Sequence, residues 1–167
     1  AGPGVDISPD QVERIDVETA QQMFDAATDH FHRADIAVMA AAVADYRPTN
    51  AADQKIKKSE EALNLNLVRN PDILSTLGNN RVNTSQFVVG FALETENALE
   101  HARLKLEKKN ADMIVLNTLA DEGAGFGHNT NKVTLLTKSN KITSFELKSK
   151  AEVARDIIQT IVEEFGA

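Results

Sequence analysis

Three lysines within four positions, Lys55, Lys57 and Lys58, form the strongest chemical feature of the chain. Each ammonium is a compact positive charge, so together they could neutralise a polyphosphate. They follow a run of small residues that ends at Asp45, where a flat ligand could approach the backbone. The carboxylate of Asp45 could accept a hydrogen bond from an exocyclic amine or a ribose hydroxyl. The competing interpretation is a solvated charged loop, which is the usual state of lysine-rich segments.

A second feature is the sequence Asn70-Pro71-Asp72, which has the residue types of a helix start. Asparagine is a frequent N-cap, proline is favoured at the first helical position, and an acid suits the first turn. The free backbone N–H groups of a helix N-terminus can bind an anion or the edge of a base. Simple capping explains the same residues, so both interpretations stay open.

A third feature is the helix predicted over residues 96–109, which carries Lys105 and Lys109 on one flank. The opposite flank holds Arg103 among glutamates, so we expect Arg103 to have carboxylate partners at helical spacing. The two lysines have few such partners and border the apolar stripe, which consists of Leu99, Ala102 and Leu106. Either the two lysines bind phosphate, or their aliphatic chains pack across the edge of the core and their ammonium groups lie in water.

A fourth feature is the polar, glycine-rich stretch 117–131, which begins at Asn117. Its glycines superficially resemble a dinucleotide-binding pattern, but the stretch leads into a strand at Val133 instead of a helix. A mobile cover over an active site is therefore the favoured interpretation. The histidines show no metal-ligand arrangement at His30, His32, His101 and His128.

The elements that must position these residues alternate between strands and helices. Apolar patterns predict strands at 12–17, 35–43, 63–67, 87–92 and 112–116, with 35–43 covered on both faces, and a hairpin at 133–137 and 142–147. Helices are predicted at 18–32, from 70 and at 96–109, and a capping box of Ser149 and Glu152 starts the last one. The pattern predicts an α/β fold with a mostly parallel sheet and an antiparallel hairpin addition. Ligands of such sheets bind beyond the carboxyl ends of the strands, here the segments 44–58, 69–74, 93–95 and 117–131.

Composition narrows the class of protein. With 167 residues the chain is expected to form a single domain, 1–167. The net charge of −7 argues against binding to nucleic acid or to an anionic membrane. No apolar stretch is long enough to span a bilayer, and the absence of cysteine fits a cytoplasmic location.

Six motifs in order over roughly residues 36–131 resemble the bacterial phosphopantothenoylcysteine synthetase family: AAVADYRP, KIKK, VRNPDIL, VVGFALET, KKNADMIVLN and GFGHNTN. The resemblance implies a Rossmann-like three-layer sandwich. It also implies CTP-dependent ligation of L-cysteine to 4′-phosphopantothenate through an acyl-cytidylate, in coenzyme A biosynthesis. Mg²⁺ is expected with the triphosphate. FMN would belong only to a fused or associated flavin decarboxylase. A homodimer is implied, with an arm around 56–69 pairing across the two-fold axis.

The resemblance also implies roles for individual residues. Lys55 would be the catalytic lysine that contacts phosphate. The CTP site would comprise Ala41, Asp45, Lys55, Pro71, Asp72, Ile73, Leu74, Phe91, Lys105 and Lys109. Ala42 and Asn117 would approach the acyl intermediate.

One departure from the family pattern concerns the N-terminus. The family begins with a strand and an asparagine- and glycine-rich segment that have no counterpart before Ala1. We therefore expect an N-terminally incomplete synthetase domain with apolar sheet surface exposed, and whether it is active alone stays open. A non-catalytic nucleotide-binding or regulatory module remains the alternative. An NAD-dependent oxidoreductase is disfavoured, because it needs a glycine fingerprint between strand and helix with an acid about 20 residues further on.

Overall fold

A computed structural model describes residues 1–5, 9–50, 54, 64–118 and 128–166. The helices are α1 (Ala20–Phe31), α2 (Ile73–Asn79), α3 (Ala98–Lys108) and α4 (Lys150–Phe165). The strands are β1 (Ile36–Met39), β2 (Tyr46–Pro48), β3 (Leu67–Arg69), β4 (Phe87–Glu94), β5 (Met113–Thr118), β6 (Thr130–Asn131), β7 (Val133–Thr137), β8 (Ile142–Ser144) and β9 (Lys148–Ser149).

The chain separates into two compact units, which are described individually. The hairpin unit comprises Ala1–Ala27 and Ala42–Asp72, and the sheet unit comprises Thr28–Ala41 and Ile73–Ala167.

The sheet unit is built on a five-stranded sheet with the order β1-β4-β5-β7-β8. The strands β1, β4 and β5 are parallel, whereas β7 and β8 run antiparallel to their neighbours. The continuous apolar runs of β4 and β5 are buried on both faces, as a central parallel strand requires. The predicted α/β fold, Rossmann-like with an antiparallel hairpin at one side, is therefore confirmed.

Helices cover both faces of this sheet. On one face, α4 contributes Val153, Ile157 and Ile161 to a core cluster with the inward residues of β4, β5 and β7. On the other face, α3 contributes Ala102 and Leu106 to a second cluster, against which Leu74 of α2 packs. The sheet unit thus has three layers. The predicted capping box is present, because Ser149 accepts from the backbone of Glu152, whose carboxylate accepts from the backbone of Ser149.

A glycine in β4 allows α2 to approach the sheet closely. A Cβ at Gly90 would overlap Leu74 of α2 and would lie 3.1 Å from Cδ1 of Ile114. A side chain there would force the Leu74 side chain to move within a packed interior, which leaves little room for it.

The hairpin unit contains a small antiparallel pair, β2 with β3, in which Tyr46 lies opposite Arg69. The polar composition of residues 45–60, with Pro48, predicts a loop there, and the strand β2 at 46–48 makes this prediction wrong for those three residues. The strand predicted at 12–17 is also wrong, because these residues form no strand, and the backbone groups of Ile15 and Val17 bond to Ala1. The strand predicted at 63–67 is displaced towards β3.

Three predictions about burial and capping are wrong. Ile36 and Val38 of β1 are 38% and 41% exposed. The strand β1 lies at the sheet edge, and the α4 cluster does not extend over it. Leu99 in the first turn of α3 is 48% exposed instead of inward. Helix α2 begins at Ile73, so Pro71 does not occupy its first position.

Among the described helices, none is both long and apolar enough to cross a bilayer.

Candidate functional site

The carboxyl edge of the sheet unit is the end at which β1, β4 and β5 all finish. The register places Thr118 of β5 opposite Glu94 of β4, and β1 stops four residues earlier along β4, where Met39 lies opposite Gly90. The half-buried end of β4 therefore extends beyond the end of β1, the short strand that leads to Ala41. Polar ligands of parallel sheets bind at such an edge.

Lys105 reaches this edge from α3. Its ammonium donates to the main-chain carbonyl of Phe91 at 2.8 Å, and the side chain is half-buried. An ammonium has three N–H donors, so this bond holds the group in place and leaves further donors for a ligand. Two residues predicted as ligand contacts, Phe91 and Lys105, are thus brought together.

Asn117 lies near the end of β5, opposite Val133 of β7. Its side-chain carbonyl accepts a hydrogen bond from the amide of Asn131 at 2.8 Å. Within the described ranges, the NH₂ group of Asn117 has no acceptor. Sequence reasoning found Asn117 but missed Asn131, although Asn131 closes the GFGHNTN motif.

A pair of side chains that sequence reasoning also missed joins the end of β4 to α3. Nδ1 of His101 lies 3.1 Å from a carboxylate oxygen of Glu94, and both groups are partly exposed. His101 lies one turn before Lys105, so the pair borders the same flank of α3. No spacing rule predicts a contact across a strand–helix turn.

The other predicted residues of the sheet unit serve the core or the helix ends. The side chain of Ile73 is buried, and the partly buried side chain of Leu74 packs against the α3 cluster. Lys109 follows α3, and its backbone N–H donates to the carbonyl of Lys105 at 2.9 Å, which completes the last turn of the helix.

Arg103 forms no ion pair with any described residue, so its predicted partnership with the glutamates of α3 is wrong. Those side chains are exposed, where such pairs contribute little.

In the hairpin unit, Asn70 links two segments instead of capping a helix. Its amide donates to the carbonyl of Ala44 at 2.7 Å, and its backbone N–H donates to the carbonyl of Asp45 at 2.8 Å. Arg47 in turn donates to the side chain of Asn70 at 2.9 Å. The backbone at Asp45 is thereby fixed, while its exposed carboxylate makes no hydrogen bond with a described residue.

Beside this link, Arg69 lies over the ring of Tyr46, at 5.8 Å from its centroid. A hydrogen bond from Arg69 to the Tyr46 hydroxyl, and the nearby charge of Asp45, raise the pKa of the guanidinium above its usual value. An arginine is always charged in proteins, and this positive charge stands close to the proposed acceptor Asp45. The second part of the hairpin unit begins at Ala42, which is exposed, and ends with Pro71 and Asp72.

Several predicted positions fall outside the described residues: Lys55, Lys57, Lys58, most of the dimer arm, and 119–127. Among the residues that are described, no three histidine, aspartate or glutamate side chains converge as a metal site.

Comparisons with known proteins agree with this architecture. The family model for the DNA/pantothenate metabolism flavoprotein C-terminal domain matches residues 1–165. The crystal structure of the C-terminal domain of the coenzyme A biosynthesis bifunctional protein CoaBC superposes with a TM-score of 0.77 at 36% identity, over 96% of this chain and 69% of that one.

Two curated relatives are similar along almost the whole chain. A protein named Cysteine/Cysteine sulfinic acid decarboxylase, from an unknown prokaryotic organism, is 48% identical over 155 residues, which are 93% of this chain and 43% of that protein. The coenzyme A biosynthesis bifunctional protein CoaBC of Haemophilus influenzae is 41% identical over 165 residues, which are 99% of this chain and 40% of that protein. The chain therefore spans about two-fifths of the length of these relatives.

Proposed function

The chain belongs to the family of DNA/pantothenate metabolism flavoprotein C-terminal domains, and from that premise we propose that it carries the CTP-dependent ligation of L-cysteine to 4′-phosphopantothenate in coenzyme A biosynthesis. The observation that carries the proposal is the anchored ammonium of Lys105 at the carboxyl edge, which retains donors for a phosphate. The CoaBC relative, whose name includes coenzyme A biosynthesis, supports the same pathway.

The proposed reaction has two steps. The carboxylate oxygen of phosphopantothenate attacks the α-phosphorus of CTP, the bond to the bridging oxygen breaks, and pyrophosphate leaves with the electron pair. The cysteine amine then attacks the activated carbonyl, loses a proton, and displaces CMP to form the amide. Both steps develop negative charge on oxygen, which fixed cations and N–H donors stabilise.

The residues divide between the two ends of CTP. Lys55, Lys105 and Lys109 would contact the phosphates. Asp45, with its fixed backbone and unshared carboxylate, would accept from the ribose or the cytosine amine. The nucleotide site would be completed by Ala41, Pro71, Asp72, Ile73, Leu74 and Phe91, and Ala42 and Asn117 would face the acyl intermediate.

Mg²⁺ would arrive with the triphosphate, held mainly by phosphate oxygens and water. A homodimer through 56–69, and a fused or associated flavin decarboxylase holding FMN, are further parts of the proposal.

The experiment that tests the proposal is pyrophosphate release with phosphopantothenate and CTP, measured for the wild type and for Lys55→Gln. Lys138→Gln is the matched control, because it removes the same charge at the amino edge of the sheet, away from Lys105 and Asn117. We expect pyrophosphate from the wild type and the control, and a loss of about 100-fold or more in Lys55→Gln. No release from the wild type, or equal rates for both variants, would overturn the proposal.

The decarboxylase relative favours a second candidate function, because it is 48% identical to this chain. A name given to that whole protein does not place its activity in the 43% that this chain matches. Release of CO₂ from cysteine or cysteine sulfinate by this chain would support decarboxylation. A CTP-induced rise in melting temperature without pyrophosphate release would instead identify a non-catalytic nucleotide-binding module.

A further inference from the structure

Asn131 is held rigidly at the carboxyl edge by its neighbours in the sheet unit. It lies in β6, which pairs with β9, so that Asn131 stands opposite Lys148. The strand β9 leads directly into α4 through the capping box at Ser149. One residue beyond β9, the backbone N–H of Lys150 donates to the carbonyl of Asn129 at 3.0 Å. The start of α4 therefore fixes the segment that carries Asn131.

The hydrogen bonds of Asn131 determine which way its amide faces. Its side-chain oxygen accepts from the backbone N–H of Lys132 at 3.0 Å. A backbone N–H can pair only with an acceptor, so the oxygen must face Lys132 and the NH₂ group must face Asn117. Asn117 must then present its own oxygen to Asn131, at 2.8 Å. The two amides thus form a chain of hydrogen bonds, here called the relay, in which each amide can be oriented in only one way. This orientation leaves the NH₂ group of Asn117 for a ligand.

Resting on the proposed ligation, we propose that Asn131 is a positioning residue, which holds the NH₂ group of Asn117 toward the acyl intermediate. When the cysteine amine attacks the acyl-cytidylate, the carbonyl oxygen gains negative charge before CMP leaves. An N–H donor that is oriented in advance stabilises this charge without reorganising. An amide turned the other way would present its oxygen to the same charge and would oppose the reaction.

The substitution Asn131→Asp tests the relay because it reverses the polarity at one position. One carboxylate oxygen can still accept from Lys132, but the other now faces Asn117, which must turn its NH₂ group inward. Asn129→Asp is the matched control, since it adds the same charge in the same segment at an exposed side chain that makes no hydrogen bond with a described residue. Asn117→Ala and the double variant Asn117→Ala/Asn131→Asp complete the set.

We expect Asn131→Asp to lower kcat for amide formation by about 100-fold, while Asn129→Asp stays within about twofold of the wild type. The CTP-induced shift in melting temperature should be the same in both variants. Asn131→Asp should have no further effect in the Asn117→Ala background, because residues that act through one another are not additive. The side-chain ¹H–¹⁵N resonances of Asn117 should move in Asn131→Asp and not in Asn129→Asp.

Equal kcat values for Asn131→Asp and Asn129→Asp would overturn the proposal, and so would additive effects of the Asn117 and Asn131 substitutions. Unmoved Asn117 resonances would show that no relay exists. A wild type without turnover would refute the ligation and with it the catalytic purpose of Asn131, whereas the resonances would still decide the polarity of the relay.

Discussion

The two ends of the sheet unit use polar side chains in opposite ways. At the amino edge, where β4 and β5 begin, Arg81 donates to the carbonyls of Gly78, Gln86 and Asn110 and pairs with Asp112 at 2.8 Å. Gln86, only 2% exposed, donates to the carbonyls of Phe31 and Ala34 and accepts from the backbone of Val82. At the carboxyl edge, Lys105 and Asn117 each keep donors for which no described residue supplies an acceptor.

This difference separates stability from function. A polar group whose hydrogen bonds are all made inside the protein holds segments together, and losing one partner costs the desolvation of the other. A group with hydrogen-bond donors that have no partner inside the protein contributes less to stability, but those donors are already oriented for a ligand. We therefore expect substitutions at the amino edge to change stability, and substitutions at the carboxyl edge to change activity.

The largest effect on stability is expected for Arg81→Met. The substitution leaves the carboxylate of Asp112, which is 13% exposed, without its cation. Breaking such a pair costs about 3 kcal/mol of unfolding free energy, or roughly 10 °C in melting temperature for a chain of this size. Arg103→Met is the control, because Arg103 is exposed and has no ion pair with a described residue; urea unfolding of both measures the difference.

Adding Asp112→Asn to Arg81→Met should recover part of this loss, since the unpaired charge then disappears. Arg81→Met and Arg103→Met with equal unfolding free energies would remove the distinction between the two edges.

The next effect is expected for Lys105→Met, which keeps most of the aliphatic stem but loses the ammonium. Stability should fall by only about 1 kcal/mol, the value of the lost hydrogen bond to Phe91. Pyrophosphate release should fall by about 10- to 100-fold, because a fixed cation on the phosphates is lost. Lys108→Met, at an exposed position of the same helix, should leave release unchanged. A large loss of stability with normal release would place Lys105 with the structural residues.

The smallest effect is expected for Glu152→Gln, at the start of α4. Hydrogen bonds from the Ser149 hydroxyl and backbone lower the pKa of Glu152 below its usual 4.5. A carboxyl whose pKa is lower in the folded state stabilises the fold at higher pH, and this contribution disappears as pH falls through the folded pKa. Glu152→Gln should therefore flatten the loss of stability below about pH 4.5, and thermal unfolding of both proteins against pH measures the difference from the wild type.

Glu152 also tests the difference between the two edges. The capping box that it forms with Ser149 connects β9 to α4 close to the carboxyl edge. Its hydrogen bonds are all internal, so Glu152→Gln should leave ligation unaffected despite its location. A strong loss of activity in this variant would mean that location, and not spare donors, decides which residues serve function.

Local patterns predicted the elements well where one segment contains all the necessary information. The capping box at Ser149 and the apolar runs of β4 and β5 are local, and all are present in the structure. Patterns failed where a partner distant in the sequence decides the outcome. Residues 12–17 have the alternation of a strand but form none, and their Ile15 and Val17 bond to Ala1, while Asn70 has the type of an N-cap but bonds to Ala44.

The candidate site divides in the same way. Sequence motifs pointed to Lys105 and Asn117, because their residue types and order match a known family. The bonds that orient them, from Lys105 to Phe91 and from Asn131 to Asn117, each join residues 14 positions apart. The second of them connects different strands, so neither helical nor strand periodicity could reveal it.

By itself, the sequence determined the helices, the central strands and the residue types available for phosphate and acyl chemistry, since periodicity and capping act within a few residues. Tertiary structure alone decided which polar groups were satisfied and which kept donors for a ligand. The reason is that a hydrogen bond has a fixed length and direction, and only the folded chain brings Arg81 to Asp112 or Asn131 to Asn117 within that length.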